Sequence, residues 1–265
     1  MKEIVSSARE ALRPATKWQS RPSGALARDP MVRAYFLMRS VNGLLGLFLP
    51  VIVIAGDIWW FHNGLPLRGS VSAYYHSDMR DIFVGILFVI GFFLILHKLF
   101  RRDPENLVSV IAGVAAIGVA LFPTSVEEKS DRPMHVVFAV VFIACLGLIS
   151  LFFGIRESHA PREQGPRTAI GAPRFWKWFH YSMAGLIAFA GGFIGFMSIW
   201  DASGTAVIGW LDEYSVLIGE IIVAIAFGLS WMTKGSALEL DLKEERKLST
   251  ATATTVIELA PQDAV

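Results

Sequence analysis

The chain has 265 residues, of which 54% are hydrophobic and only 18% charged, with a formal net charge of +1 at pH 7. A soluble domain carries more charge than this, so composition argues against a soluble globular class. The single cysteine, Cys145, excludes an intramolecular disulfide and a multi-cysteine metal site.

In chain order, residues 1–36 form a basic, polar arm with no apolar core of signal-peptide length. It is expected to lie on anionic lipid rather than to bind nucleic acid. The hydrocarbon core of a bilayer needs about 20 apolar residues in helix. Six stretches meet this: Val41–Trp60, Asp81–Phe100, Asn106–Pro123, Met134–Ile155, Phe179–Trp200 and Tyr214–Met232. Lipid offers no partner to an unpaired backbone group, so runs of this length are helices. Pro50 is expected to kink the first. Gly and Ala in the third suggest a tightly packed central helix. The small residues Gly191 and Gly195 of the fifth make a weak G-x-x-x-G, read as helix–helix contact within the chain or between copies. The loops are short, so residues 37–235 read as one all-α, six-helix transmembrane domain. Residues 236–265 read as a largely disordered tail.

Orientation follows from the cations. The arm, the second-to-third loop, the fourth-to-fifth loop and the tail hold twenty Lys and Arg; the alternate segments hold four, Arg68, Arg80, Lys129 and Arg132. The positive-inside rule puts both termini in the cytoplasm. Trp59, Trp60, Trp200 and Trp210 then fall at the outer ends, where interfacial aromatics belong.

The polar residues converge on that outer side. The run Ser70-Val71-Ser72-Ala73-Tyr74-Tyr75-His76-Ser77-Asp78-Met79-Arg80-Asp81 leads into the second helix. Ser77, Asp78 and Asp81 are also read simply as helix-start caps, and the tyrosines as interfacial anchors. Thr124 follows Pro123 at the end of the third helix, and His135 opens the fourth. Glu220 lies one to two turns inside the sixth, where a carboxylate requires a partner, a proton or a polar cavity. The ligand-binding candidates are Ser72, Tyr74, Tyr75, Arg80, Thr124, Trp210 and Glu213. The catalytic candidates are His76, Asp81, His135 and Glu220. His62, His76 and His135 with Asp81 are the only candidate zinc ligands, without H-x-x-x-H spacing. No phosphate loop, dinucleotide fingerprint or nucleophile elbow is present, and no cofactor is expected.

The pattern Ser70-Val71-Ser72-Ala73-Tyr74-Tyr75, Met79-Arg80-Asp81-Ile82-Phe83-Val84-Gly85, Leu121-Phe122-Pro123-Thr124 and Phe227-Gly228-Leu229-Ser230-Trp231 with Lys234-Gly235 resembles a family of uncharacterised bacterial six-helix membrane proteins. More loosely, it is similar to Frag1/DRAM/Sfk1 and DUF998-type proteins. The resemblance implies a six-helix bundle in the plasma membrane (a bacterial inner membrane) with an outer cluster of Ser72, Asp81, His135 and Glu220. A remoter likeness to alkaline-ceramidase-type hydrolases lacks their late H-x-x-x-H. The first functional expectation is a pocket for a lipid headgroup or small polar ligand, with membrane lipid as the partner. The alternatives are a membrane-embedded hydrolase or lipid-modifying enzyme, and a transporter or accessory subunit.

Overall fold

The computed structural model describes residues 30–60, 67–96, 104–124, 133–158, 173–202, 209–211 and 213–233. The expectations for the arm before residue 30, for His62 and for the tail after residue 233 lie outside the described residues. All described elements are helical. We number the helices α1 (Pro30–Ala55), α2 (Arg80–Leu96), α3 (Pro104–Leu121), α4 (Pro133–Ser158), α5 (Pro173–Ala202) and α6 (Glu213–Thr233). A π-helical turn, Gly56–Trp60, prolongs α1, and a 3-10 turn, Ser72–His76, precedes α2. Residues 38–235 form one compact unit.

Four helices begin at a proline. The first helical position needs no N–H donor, and proline's fixed φ suits it. These starts lie one to eleven residues ahead of the apolar stretches read from the sequence, which mark hydropathy rather than backbone. The helix also continues through Pro50.

Five helices are long and apolar enough to cross a membrane; α2, with seventeen residues, is the shorter exception. Large apolar side chains cover the outside, among them Val89, Phe92, Val140, Phe189 and Phe196. An exterior so uniformly apolar suits lipid rather than water.

Successive helices from α2 to α5 are neighbours. Glycines set the close approaches. A Cβ on Gly91 of α2 would come within 2.8 Å of the Gly113 carbonyl of α3, and one on Gly113 within 2.5 Å of the Gly91 carbonyl. A Cβ on Gly228 of α6 would come within 2.8 Å of Leu47 in α1, and one on Gly219 would overlap Ile194 of α5. In α5, Gly191 faces Ile143 of α4, whereas Gly192 and Gly195 face open space. Trp231 of α6, fully buried, meets Phe93 of α2 edge to face and Phe153 of α4 at a tilt.

Candidate functional site

The segment between α1 and α2 folds back onto the bundle. Gly69 lies against the first turns of α6: its carbonyl accepts the Leu217 N–H at 2.9 Å, and a Cβ there would come within 2.8 Å of the Glu213 carbonyl. Ser70 then starts the 3-10 turn, its hydroxyl accepting the Ala73 N–H at 3.0 Å. Ser77 closes that turn and opens α2, donating to the Tyr74 carbonyl at 2.9 Å and accepting the Met79 N–H at 3.1 Å. These serines satisfy backbone groups that short turns leave unpaired.

Glu220 fastens the segment from α6. One carboxylate oxygen accepts the Val71 N–H at 2.6 Å; the other accepts the Ser72 hydroxyl at 3.3 Å. A carboxylate within an apolar helix thus meets the free N–H groups at the start of a 3-10 turn, which draw negative charge. The Ser72 oxygen also lies 3.1 Å from that of Ser70.

Tyr74 is buried among apolar side chains, with the Arg68 guanidinium 5.8 Å from its ring centroid. Burial, more than any nearby charge, pushes its hydroxyl above the usual phenol range. Arg68 also pairs with Asp57, which is buried in the π turn, at 3.6 Å. The segment is thereby tied to α1 as well as to α6.

Two imidazoles hold the turn that ends α3. His76 Nε2 lies 2.9 Å from the Thr124 carbonyl, and His135 Nδ1 lies 2.7 Å from the Phe122 carbonyl. A carbonyl oxygen only accepts, so each of those ring nitrogens carries the proton and donates it. The remaining nitrogens, Nδ1 of His76 and Nε2 of His135, are directed away from these bonds. The turn needs such donors because carbonyls beyond the last helical turn have no intrahelical partner. The Thr124 hydroxyl oxygen is buried and has no hydrogen-bond partner among the described residues.

Arg80, exposed at the start of α2, places its guanidinium 5.2 Å from the Tyr75 ring centroid, and Tyr75 meets the His76 ring edge to face at 5.3 Å. A continuous polar path therefore runs from Arg80 over Tyr75 and His76 to Thr124.

The structure thus brings Ser72 to Glu220, His76 and His135 to the Phe122–Thr124 turn, and Arg80 to Tyr75. Asp81, Trp210 and Glu213 are exposed. Asp81 occupies the first turn of α2. Among the described residues, no three His, Cys, Asp or Glu side chains are grouped so that they could hold a metal ion.

Sequence reasoning missed a second polar group at the other end of the bundle. It includes Arg39, Asn42, Ser109, Ser150 and the pair His180–Ser230, joined at 2.9 Å, all of them buried. The charge count places Arg39 only among the cations of the N-terminal arm. Pro30, taken as a first helical residue, would have extended α1 to include it. The chain matches no protein-family model, no curated protein and no solved structure.

Proposed function

We propose that the chain is a six-span plasma-membrane protein with both termini in the cytoplasm. In this reading it binds a lipid headgroup or small polar ligand where the segment 67–79 meets the ends of α3 and α4. The observation that carries the proposal is Thr124. Its buried hydroxyl has no hydrogen-bond partner among the described residues, in a turn already held by two imidazoles and at the end of the path from Arg80. Buried hydroxyls are nearly always hydrogen-bonded, and a ligand oxygen or nitrogen would complete this one. Arg80, its guanidinium over an aromatic face and its edge accessible, suits a phosphate or carboxylate.

Mass spectrometry of lipid co-purifying with the full chain tests this. Arg80→Ala and Thr124→Val are expected to lower the retained lipid or small molecule severalfold at an unchanged unfolding temperature. Equal retention in both variants would refute it.

A second reading, a lipid-modifying hydrolase, has one observation in its favour. The bond from His135 Nδ1 to the Phe122 carbonyl fixes the ring and leaves Nε2 as the basic nitrogen, the arrangement a general base uses. His135→Gln keeps a donor for that carbonyl and removes the base. This reading expects a changed lipid profile in cells carrying the variant, with headgroup retention preserved.

A further inference from the structure

At the bundle end remote from the 67–79 segment, Arg39 of α1 is 5% exposed. Its guanidinium lies 4.6 Å from the Trp231 ring centroid and 5.1 Å from that of Phe153. The Trp231 indole N–H donates to the Arg39 carbonyl at 3.0 Å, so α1, α4 and α6 meet here. On the adjoining helices, Glu105 of α3 pairs with Arg156 of α4 at 2.7 Å.

Three polar side chains stand one turn further into the bundle. α1 and α3 run away from this end and α4 runs toward it. Asn42 follows Arg39 by three residues, Ser109 follows Glu105 by four, and Ser150 precedes Phe153 by three. At 1.5 Å per residue each lies roughly 4.5–6 Å deeper, on the same helix face as its reference residue. Asn42 is 1% exposed and both serines 0%. Neither end of the Asn42 amide and neither serine hydroxyl has a hydrogen-bond partner among the described residues.

A single unpartnered hydroxyl in a helix is unremarkable, but here three helices carry such groups at one depth of the bundle, their valences unmet among the described residues. Its chemistry is donor-rich. The Asn42 nitrogen and two hydroxyls, all buried, come from three helices about one turn deeper than the buried Arg39 guanidinium. A planar carboxylate accepts mainly near its own plane, whereas a tetrahedral oxyanion accepts from all round. Arginine is the residue that suits such an oxyanion in a desolvated setting. The geometry points to a phosphate-binding site between α1, α3 and α4, taking a phosphate carried by a lipid headgroup or free in solution. It shares no residue with the Arg80–Thr124 path.

Thermal unfolding of the delipidated full chain in detergent tests the assignment. The probes are inorganic phosphate and phosphatidylglycerol, with diacylglycerol as the phosphate-free control. At least one phosphate probe is expected to raise the unfolding midpoint by several degrees over the control. Stabilisation by phosphate itself identifies a soluble ligand; stabilisation by phosphatidylglycerol alone identifies a lipid. The Ser109→Ala/Ser150→Ala double variant and Asn42→Leu should need at least tenfold more probe for the same shift, while Gly192→Ala, which faces open space, should respond as the native chain does. Serine-to-alanine changes remove one oxygen each, so the double variant decides the matter even if Asn42→Leu does not fold. No shift with either phosphate probe, or the same shift in the double variant, overturns the site.

Discussion

Glu220 illustrates how one side chain sets local structure. Both its oxygens accept hydrogen bonds from the segment 67–79, and the nearest sequence partner, Ser72, is 148 residues away. Removing the carboxylate orphans the Val71 N–H as well as freeing Ser72. Glu220→Leu is therefore expected to destabilise the chain by about 2–4 kcal/mol, the range for losing a charge-assisted bond and leaving a buried donor unmet. Glu220→Gln retains an acceptor for Val71 and a donor for the Ser72 oxygen, so its loss should be roughly 1 kcal/mol. Denaturant unfolding in detergent compares the two. Equal losses would mean that the charge itself, not the two-point attachment, holds the segment. The sequence made Glu220 conspicuous because carboxylates are rare within apolar helices. It did not disclose the partner, because a backbone N–H has no residue-type signature.

At the scale of elements, close helix approaches depend on glycines whose role hydropathy does not report. Gly91→Ala would push a methyl group toward the Gly113 carbonyl, 2.8 Å away, and toward Ile117. Relieving that overlap means parting α2 from α3, with an expected loss of about 1–3 kcal/mol. Gly69→Ala meets the Glu213 carbonyl at the same 2.8 Å and should loosen the loop segment by a similar amount. Gly85→Ala and Gly192→Ala, which face open space, serve as controls and should leave the unfolding temperature unchanged or slightly raised. If Gly91→Ala matched those controls, the α2–α3 crossing described here would be wrong. The G-x-x-x-G of α5 was legible as a pattern, yet only Gly191 meets another helix, Ile143 in α4. Spacing places glycines on one face and cannot say what faces them. The same limit hid the 3-10 turn Ser72–His76. Its residues carry no apolar period, and its hydrogen bonds come from Ser70 and from Glu220 on a distant helix.

For the whole molecule, hydropathy identifies helices that suit lipid, but not which of their residues face inward. In this bundle the exterior is lined with large apolar side chains, and the buried polar groups, Asn42, Ser109, Ser150 and His180 among them, lie within or beside stretches that hydropathy marks only as apolar spans. The number of crossings turns on α2, whose seventeen residues span about 25 Å at 1.5 Å each, against roughly 30 Å of hydrocarbon. Its neighbours supply the argument for six. α1 ends beside the start of α2, where Gly56 meets Met79, and α3 ends beside His76. α1 and α3 therefore run the same way, and the chain must return between them; the contacts of Gly91 and Ile95 with Gly113 show α2 making that return alongside α3. If α1 and α3 cross the membrane, the proposed six-span reading has α2 crossing with them, with Arg80 at its start accommodating the shortfall at an interface. Single cysteines introduced into a Cys145→Ser background separate the possibilities. Asp78→Cys, before α2, is expected to react with a membrane-impermeant maleimide in intact cells, and Arg101→Cys, after it, only once the membrane is opened. The reverse pattern would invert the orientation inferred from the twenty-to-four division of cations. Labelling of both from one side would reduce the spans to five and place the Arg80–Thr124 path on a re-entrant helix instead of at the mouth of a bundle.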